Sequence, residues 1–357
     1  MTVPERHARR AAVVGIGLIG GSIGLALRER GWHVTGRDAD PARAEEALRR
    51  GVIDAVGDDP DAEFVFVATP LSAVATEARK ALAAGGGVVT DVAGVKAGVV
   101  EAVDSPRFVG GHPMAGSEQL GLDGADGSLF EGATWVLTPA PDTDPVAYAS
   151  LRSLIATLGA EVIAVTPADH DALVAVVSHV PHLTAATLMT LAAERAAEHT
   201  ALLRLAAGGF RDMTRIAAGH PGIWPDICAE NKTAIVDVLD RLAARLAATR
   251  ELVASEDRDG LLRLLDTAHV ARRNLPTPTA RPEDLVELRV PVAHRPGALA
   301  EVTTLAGELG VNIEDLSIAH SPEGVRGVLL VVVDARNADL MRGGLLARGF
   351  RPSAQPL

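Results

Sequence analysis

Apolar and polar positions repeat with different periods in three successive parts of the chain. In the first part, short apolar runs are separated by segments of helical period, which predicts strands alternating with helices. The predicted strands are 11–14, 33–36, 63–68, 87–90, 108–110, 134–137 and 161–165, and a helix covers about 145–158. This order predicts a mostly parallel sheet with helices on both faces.

After Pro167 the strand signals stop, and Ala- and Leu-rich helical periodicity continues to about Asn274. It predicts helices at 169–177, 233–252 and 261–273, and therefore an all-α second domain. Helical domains of this size commonly pair two subunits, so we expect a homodimer.

A Pro-rich segment at 275–282 predicts a linker to a third, smaller unit. Beyond it the pattern predicts a strand at 285–292, a helix to 309, strands at 314–320 and 327–333, a helix at 338–348 and a short last strand. That βαββαβ order is ferredoxin-like. The predicted domains are thus 1–166, 167–280 and 284–357.

Composition and charge exclude several classes of protein. The net charge of −12 over 357 residues argues against a nucleic-acid-binding face. The single cysteine, Cys228, excludes an intrachain disulfide and a Cys-based zinc site. The first ten residues do not resemble a signal peptide, and we find no apolar run of membrane-spanning length, so we expect a cytoplasmic protein.

A glycine motif, Gly15-x-Gly17-x-x-Gly20, lies between the first predicted strand and the first helix. The first glycine allows a tight turn, the second lets the backbone approach a pyrophosphate, and the third lets helix and strand pack closely. The domain is therefore expected to be Rossmann-like and to bind a dinucleotide. Its pyrophosphate would lie against Gly15, Gly17, Leu18, Ile19 and Gly20.

Asp38 follows the second predicted strand, where a carboxylate can bind the ribose 2′-hydroxyl. It favours NAD, although the adjacent Arg37 could pair with the 2′-phosphate of NADP. Thr69 and Pro70 follow the next long strand and Asp91 the one after it. Ligands bind at the carboxyl ends of such strands, so we expect these three residues on the cofactor side.

The segment 110–121 sets His112 among glycines and a proline. It is too interrupted for a central strand, so we expect a loop that presents His112 and Glu118 beside the cofactor. A histidine pKa suits acid–base catalysis, but an incidental histidine in a turn fits this segment equally well.

Two further groups of polar residues occur in the helical part. His179 and His182 could in principle bind a metal, but no carboxylate has a matching spacing and Pro181 interrupts the turn. We therefore expect no metal and instead a helix start that faces the cleft. Asp212 and Arg215 follow a glycine pair, and without other information they indicate a solvated helix face.

Together these motifs make the chain resemble the prephenate/arogenate dehydrogenase family of tyrosine biosynthesis, in the subgroup with a C-terminal ACT domain. The motifs are 15–22, 91–96, 111–116, 178–182 and 209–215 with Trp224, and for the ACT domain 295–297 and 310–313.

The resemblance implies an NAD-dependent oxidative decarboxylation of a cyclohexadienol that carries two carboxylates. It makes His112 the catalytic acceptor of the 4-hydroxyl proton, and Arg215 the partner of a substrate carboxylate. It places His179 and His182 near the substrate, and it joins Glu118 and Asp212 to Arg215 in an ionic network. Ser117, close to His112 along the chain, is a further candidate for contact with the substrate hydroxyl. It also implies that tyrosine binds near Gly297 and Asn312 and inhibits, although the ACT unit could serve only dimer contacts.

One residue departs from the family pattern: Gly94 stands where the family usually has Ser. Water, Ser117 or the cofactor must then fill the gap beside the 4-hydroxyl, or the substrate is a 4-amino-4-deoxyprephenate, the less favoured alternative. The sequence does not separate prephenate from arogenate, which differ on the side chain. A hydroxyacid or imine dehydrogenase is disfavoured because Lys232 is the only lysine of the helical part and lacks the preceding motif. A non-enzymatic ACT-type sensor is disfavoured because the glycines and His112 are retained.

Overall fold

The strands predicted in the first part of the chain join one eight-stranded sheet in the computed structural model. The structure describes residues 9–116, 119, 121–198, 202–275, 285–293, 297–320 and 326–356, and the chain divides into two units, 1–244 and 245–357. The strands are β1 Arg10–Val14, β2 His33–Arg37, β3 Ala55–Val56, β4 Phe64–Val67, β5 Val88–Asp91, β6 Phe108–Pro113, β7 Thr134–Thr138 and β8 Glu161–Ala164.

The sheet order is β3-β2-β1-β4-β5-β6-β7-β8, and every pair is parallel except β6 with β7. Its helices are α1 Leu18–Glu29, α2 Pro41–Arg49, α3 Leu71–Ala84, α4 Ala97–Val103 and α5 Pro145–Thr157. Successive residues of a strand point to opposite faces, so Val13 packs in one apolar cluster with α1 and α5 and Val14 in another with α3 and α4. Both faces are covered, as the Rossmann-like prediction requires.

The prediction that His112 lies in a loop is wrong. β6 continues through His112, which pairs with Val136 of the antiparallel strand β7. Its glycines are needed because the neighbouring strands approach closely. A Cβ at Gly110 would lie 2.4 Å from the Thr138 hydroxyl, and one at Gly111 would lie 2.6 Å from the Asp91 carbonyl.

The helical part comprises α6 Pro167–Val174, α7 Val180–Glu198, α8 Gly208–Thr214, α9 Trp224–Glu230, α10 Lys232–Ala254 and α11 Arg258–Arg273. A π-helical turn, Ala175–His179, joins α6 to α7. The expectation that Pro181 interrupts the helix is therefore wrong. Pro181 is the second residue of α7, where a missing N–H costs little, and the π turn precedes it.

The run Pro167–Ala196 also corrects the expectation that no apolar segment has membrane-spanning length. It has 30 residues, its most apolar window of 18 residues has a mean hydropathy of 1.5, and 28% of that window is buried. Its polar residues His170, Asp171 and His179 are buried, whereas Val176 and Val177 are exposed. The run therefore has one side packed in the fold and one apolar side open.

The last part of the chain forms a four-stranded antiparallel sheet with two helices. Its elements are β9 Leu285–Ala293, α12 Ala298–Glu308, β10 Asp315–His320, β11 Arg326–Asp334, α13 Ala335–Ala347 and β12 Ser353–Pro356. The sheet order β10-β11-β9-β12 is that of the predicted βαββαβ unit. Val290, Leu329 and Met341 lie in its separate apolar core.

Candidate active site

The glycine loop lies between β1 and α1 and has the shape of a dinucleotide cradle. Gly15 has a φ of +91°, and a Cβ there would lie 2.5 Å from the Ala68 carbonyl. A Cβ at Gly20 would meet the Gly15 carbonyl, whereas one at Gly17 would meet nothing within 4 Å. Gly17 begins α1, with Leu18 and Ile19 as its first helical residues and no side-chain cap. The open backbone and uncapped helix start suit a pyrophosphate.

The residues after β2 favour NAD over NADP. An Asp38 carboxylate oxygen accepts a hydrogen bond from the Ile16 backbone N–H at 2.8 Å, which places the carboxylate beside the glycine loop. Arg37 forms ion pairs with Asp58 at 2.6 Å and Glu77 at 2.5 Å. Because its guanidinium already has two carboxylate partners, Arg37 does not offer an unpaired charge to a 2′-phosphate.

Thr69 and Pro70 connect β4 to α3, and Pro70 is the residue before the first helical one. The Thr69 hydroxyl is buried and has no hydrogen-bond partner within the described ranges. A buried hydroxyl in this position is a polar group that a bound ligand can satisfy.

Asp91 and Lys96 form a fully buried ion pair at the end of β5. Asp91 also accepts a hydrogen bond from the Gly111 N–H at 3.1 Å, and Lys96 Nζ donates to the Gly111 carbonyl at 2.8 Å. The pair therefore binds the backbone of β6 through hydrogen bonds to Gly111, one residue before His112.

His112 is half-buried, and its Nδ1 lies 2.9 Å from Nε2 of the buried His170. A Cβ built on Gly94 would lie 3.8 Å from both Cε1 and Nε2 of His112, so the ring edge that carries Nε2 faces the loop of 91–96. Burial, followed by the charges of Lys96, His170 and His179, lowers the His112 pKa well below 6.5. The ring is therefore neutral at pH 7 and can accept a proton.

A second buried histidine lies close by. His179 Nδ1 is 3.1 Å from the Asn231 side-chain nitrogen, which also donates to the Asp171 carbonyl at 2.8 Å. Burial lowers the His179 pKa to about 4. Since an amide nitrogen only donates, His179 Nδ1 accepts and its Nε2 carries the hydrogen.

His182 stacks on Trp224 with ring centroids 3.7 Å apart. Burial lowers the His182 pKa. Arg215 begins the 3₁₀ turn after α8, and both it and Asp212 are exposed. A Cβ at Gly219, just beyond this turn, would lie 3.4 Å from the His182 ring, so the turn packs beside α7.

Ser117 and Glu118 lie outside the described residues, so the predicted network of Glu118 with Asp212 and Arg215 stays a prediction. The sequence reasoning missed His170, Asp171 and Asn231, which support the two buried histidines. A signal was present, because His170 and Asp171 are adjacent polar residues in an otherwise apolar helical run.

Comparison with known proteins agrees with this geometry. Residues 23–164 match the model of the prephenate dehydrogenase nucleotide-binding domain, and residues 166–267 match that of the prephenate dehydrogenase dimerization domain. A prephenate dehydrogenase of Bacillus subtilis is 34% identical over 338 residues, which cover 89% of this chain and 90% of that protein.

Two solved structures are similar over most of the chain. The A. aeolicus prephenate dehydrogenase in complex with hydroxyphenyl propionate and NAD+ has a TM-score of 0.71 and 29% identity, covering 76% of this chain and 100% of that one. The Synechocystis arogenate dehydrogenase has a TM-score of 0.67 and 33% identity, covering 75% and 100%. The glycine cradle, the neutral histidine at the end of β6 and these matches lead to one conclusion: the chain belongs to the prephenate dehydrogenase family.

Proposed function

We propose that the protein is an NAD-dependent prephenate dehydrogenase, which converts prephenate to 4-hydroxyphenylpyruvate and CO2 in tyrosine biosynthesis. The observation that carries this proposal is the neutral His112 at the carboxyl end of β6, with Nε2 facing the loop of 91–96. The glycine cradle and the relatives named above support the choice of cofactor and substrate.

His112 is the catalytic base of the proposed reaction. NAD would be held by Gly15, Gly17, Leu18, Ile19, Gly20, Asp38, Thr69, Pro70 and the region of Asp91, and it would accept the hydride released when the C4–H bond of the substrate breaks. The substrate hydroxyl proton passes to His112 Nε2 as the C4–O bond becomes a carbonyl. The ring carboxylate then leaves as CO2, its bonding electrons make the ring aromatic, and His112 returns the proton to the phenolate oxygen. A positioned base of this kind contributes about 100- to 10,000-fold.

The remaining site residues bind the substrate in this proposal. Arg215 pairs with a substrate carboxylate, a charge-assisted contact worth about 1.5–3 kcal/mol. His179 offers its Nε2–H as a donor, and His182 with Ser117 completes the substrate side. Glu118 and Asp212 close the cleft through Arg215.

The test is the initial rate of NADH formation with prephenate and with arogenate at equal concentrations, and then with NADP in place of NAD. We expect prephenate and NAD to give the higher kcat/KM. Faster turnover of arogenate would identify an arogenate dehydrogenase, the alternative that the similarity to the Synechocystis enzyme keeps open. Turnover of a 4-amino-4-deoxyprephenate alone would show that Gly94 has changed the substrate.

We further infer a cytoplasmic homodimer with three domains, 1–166, 167–280 and 284–357. The match to a dimerization domain and the exposed apolar side of Pro167–Ala196 support the dimer. The antiparallel βαββαβ unit supports an ACT domain.

We infer that tyrosine binds this ACT unit near Gly297 and Asn312 and inhibits the enzyme. Gly297 has a φ of +87° at the start of α12, and the Asn312 amide donates to Glu314 at 2.8 Å. The test is tyrosine inhibition of the full chain with Asn312→Ala, and with Asn337→Ala on α13 as the matched control. We expect only Asn312→Ala to raise the inhibitory concentration; equal inhibition of both variants would contradict tyrosine binding at Asn312.

A further inference from the structure

A hydrogen-bonded chain of three side chains runs behind the catalytic histidine. His112 Nδ1 lies 2.9 Å from His170 Nε2, and His170 Nδ1 lies 2.7 Å from Asp171 Oδ1. His170 is 1% exposed and Asp171 5% exposed. The proposed reaction assigns a role only to His112 among these three side chains.

The hydrogens in this chain follow from Asp171. Its Oδ1 also accepts from the Lys96 backbone N–H at 2.8 Å, and its Oδ2 accepts from the Ala97 N–H at 2.8 Å. Burial raises the Asp171 pKa, but the hydrogen bonds from His170 and from these two N–H groups more than offset it, so the net pKa is lowered. The side chain is therefore an ionised carboxylate, which can only accept hydrogen bonds.

The order of donors then follows for uncharged imidazole rings. His170 Nδ1 must donate to Asp171, and an uncharged ring that donates from Nδ1 has its lone pair on Nε2. That lone pair accepts a hydrogen from His112 Nδ1. His112 is left with its lone pair on Nε2, the nitrogen that faces Gly94.

We propose that His170 and Asp171 are positioning residues that hold His112 as the Nδ1–H tautomer and stabilise its positive charge when Nε2 accepts the substrate proton. The inference rests on the proposed function for its kinetic part. The three side chains lose no proton over the whole reaction. The Nδ1 hydrogen stays shared between His112 and His170, and the proton that Nε2 accepts from the substrate returns to the product oxygen.

The groups around His112 explain why such help is needed. Burial, Lys96 on the loop before α4, a charged His170 and His179 on the π turn disfavour a charged His112 ring, and the Lys96 charge is partly balanced by Asp91 of β5. An uncharged His170 that accepts from His112 Nδ1 acts in the opposite direction. Asp171 of α6 is the carboxylate that His112 reaches through hydrogen bonds. The hydrogen bonds that run through His170 to Asp171 thus offset the free-energy cost of charging the buried His112 ring.

The first test reads the tautomer and needs no substrate. The full chain is labelled with ¹⁵N-histidine, and the His112 resonances are identified by their loss in His112→Asn. We expect Nδ1 of His112 to carry the hydrogen and Nε2 to show a lone-pair resonance at neutral pH. The opposite tautomer would overturn the proposal whether or not prephenate is the substrate.

The second test is kinetic and compares His170→Leu with His170→Gln, whose amide oxygen can still accept from His112 Nδ1. We expect His170→Leu to lower kcat by about 100-fold or more with little change in KM, because the wrong tautomer in comparable Asp–His pairs costs up to about 10⁴. His170→Gln should recover at least about tenfold of that loss, since the acceptor is restored.

His33→Leu is the matched control, because His33 begins β2 at the amino end of the sheet. The proposal would be overturned if the wild type turns over prephenate and His170→Leu has the same kcat. It would also be overturned if the Leu and Gln variants lose the same fraction of kcat. If the Leu variant does not fold, the Gln variant and the wild-type tautomer decide. Absence of wild-type turnover on prephenate would count against the proposed function, and the tautomer measurement would still test this inference.

Discussion

At the scale of the residue, the chemistry of His112 is set by what surrounds its two nitrogens. One nitrogen is occupied by His170, and the other faces Gly94, where a side chain is missing. Burial and the Lys96 ammonium keep the ring neutral. The basicity of His112 and the access of substrate to its Nε2 are thus controlled by different neighbours, and each can be tested separately.

The pH dependence of kcat/KM tests the protonation of His112. A protonated ring cannot accept the substrate proton, so activity should be lost as pH falls through the pKa of His112. Because that pKa lies well below 6.5, we expect kcat/KM to be flat near neutral pH and to fall only in the acid range. Initial rates across the acid range at constant ionic strength measure this, and a decline already centred at 6.5 or above would contradict it.

Gly94→Ser tests the missing hydroxyl. The added Cβ would be in ordinary contact with His112 at 3.8 Å, so the substitution should fit. A hydroxyl that shares the substrate 4-hydroxyl with His112 adds about 0.5–1.5 kcal/mol, or about two- to tenfold in kcat/KM on prephenate. Gly86→Ser, where a Cβ would meet nothing within 4 Å, is the control. A lower rate on prephenate with Gly94→Ser would show that the open space accommodates part of the substrate.

At the scale of the element, the sequence predicted the strands better than the contacts between them. The glycine loop and the strand ends at Thr69 and Asp91 follow from local periodicity and turn chemistry, and the structure contains them. The position of His112 within β6 did not, because a glycine pair next to a proline indicates a turn unless the neighbouring strand is known. The bond from His112 to His170 depends on tertiary packing, which no local pattern encodes.

Breaking the buried ion pair Lys96–Asp91 tests how much this link between β5 and β6 contributes to the free energy of unfolding. Removing one partner of a buried ion pair leaves an unpaired charge and costs about 3–5 kcal/mol, so Lys96→Met should lower the free energy of unfolding by that amount. Lys80, which pairs with Glu77 at the surface, is the matched control, and Lys80→Met should cost about 0–1 kcal/mol. Urea unfolding of the full chain measures both, and similar small losses would show that the buried pair is not ionised.

At the scale of the whole molecule, several apolar side chains of the helical part are exposed to solvent among the described residues. Leu173, Val176 and Val177 are 56%, 53% and 66% exposed, although they lie in the same run as the buried His170 and His179. Contiguous exposed apolar surface of this kind marks an interaction site. A second copy of the chain is the partner that the match to a dimerization domain favours.

Light scattering of the full chain tests this arrangement. We expect a mass of twice the 37.0 kDa chain for the wild type and a shift toward the monomer for Val177→Glu. Val146→Glu, at an exposed apolar position of α5, should leave the mass unchanged. A monomeric wild type, or equal behaviour of the two variants, would contradict the proposed dimer.

The contact between Asp38 and Ile16 has a consequence for any redesign of cofactor use. The carboxylate expected to reject a 2′-phosphate also holds the glycine loop through the Ile16 N–H. Exchanging it for a neutral or basic residue would therefore change the loop that cradles the pyrophosphate as well as the preference for the ribose. Arg37 would not compensate, since Asp58 and Glu77 already engage it. A cation is already close, because Arg43 pairs with Asp38 at 3.1 Å and would lose that carboxylate, so an engineer seeking an NADP-dependent form would above all have to supply a new acceptor for the Ile16 amide.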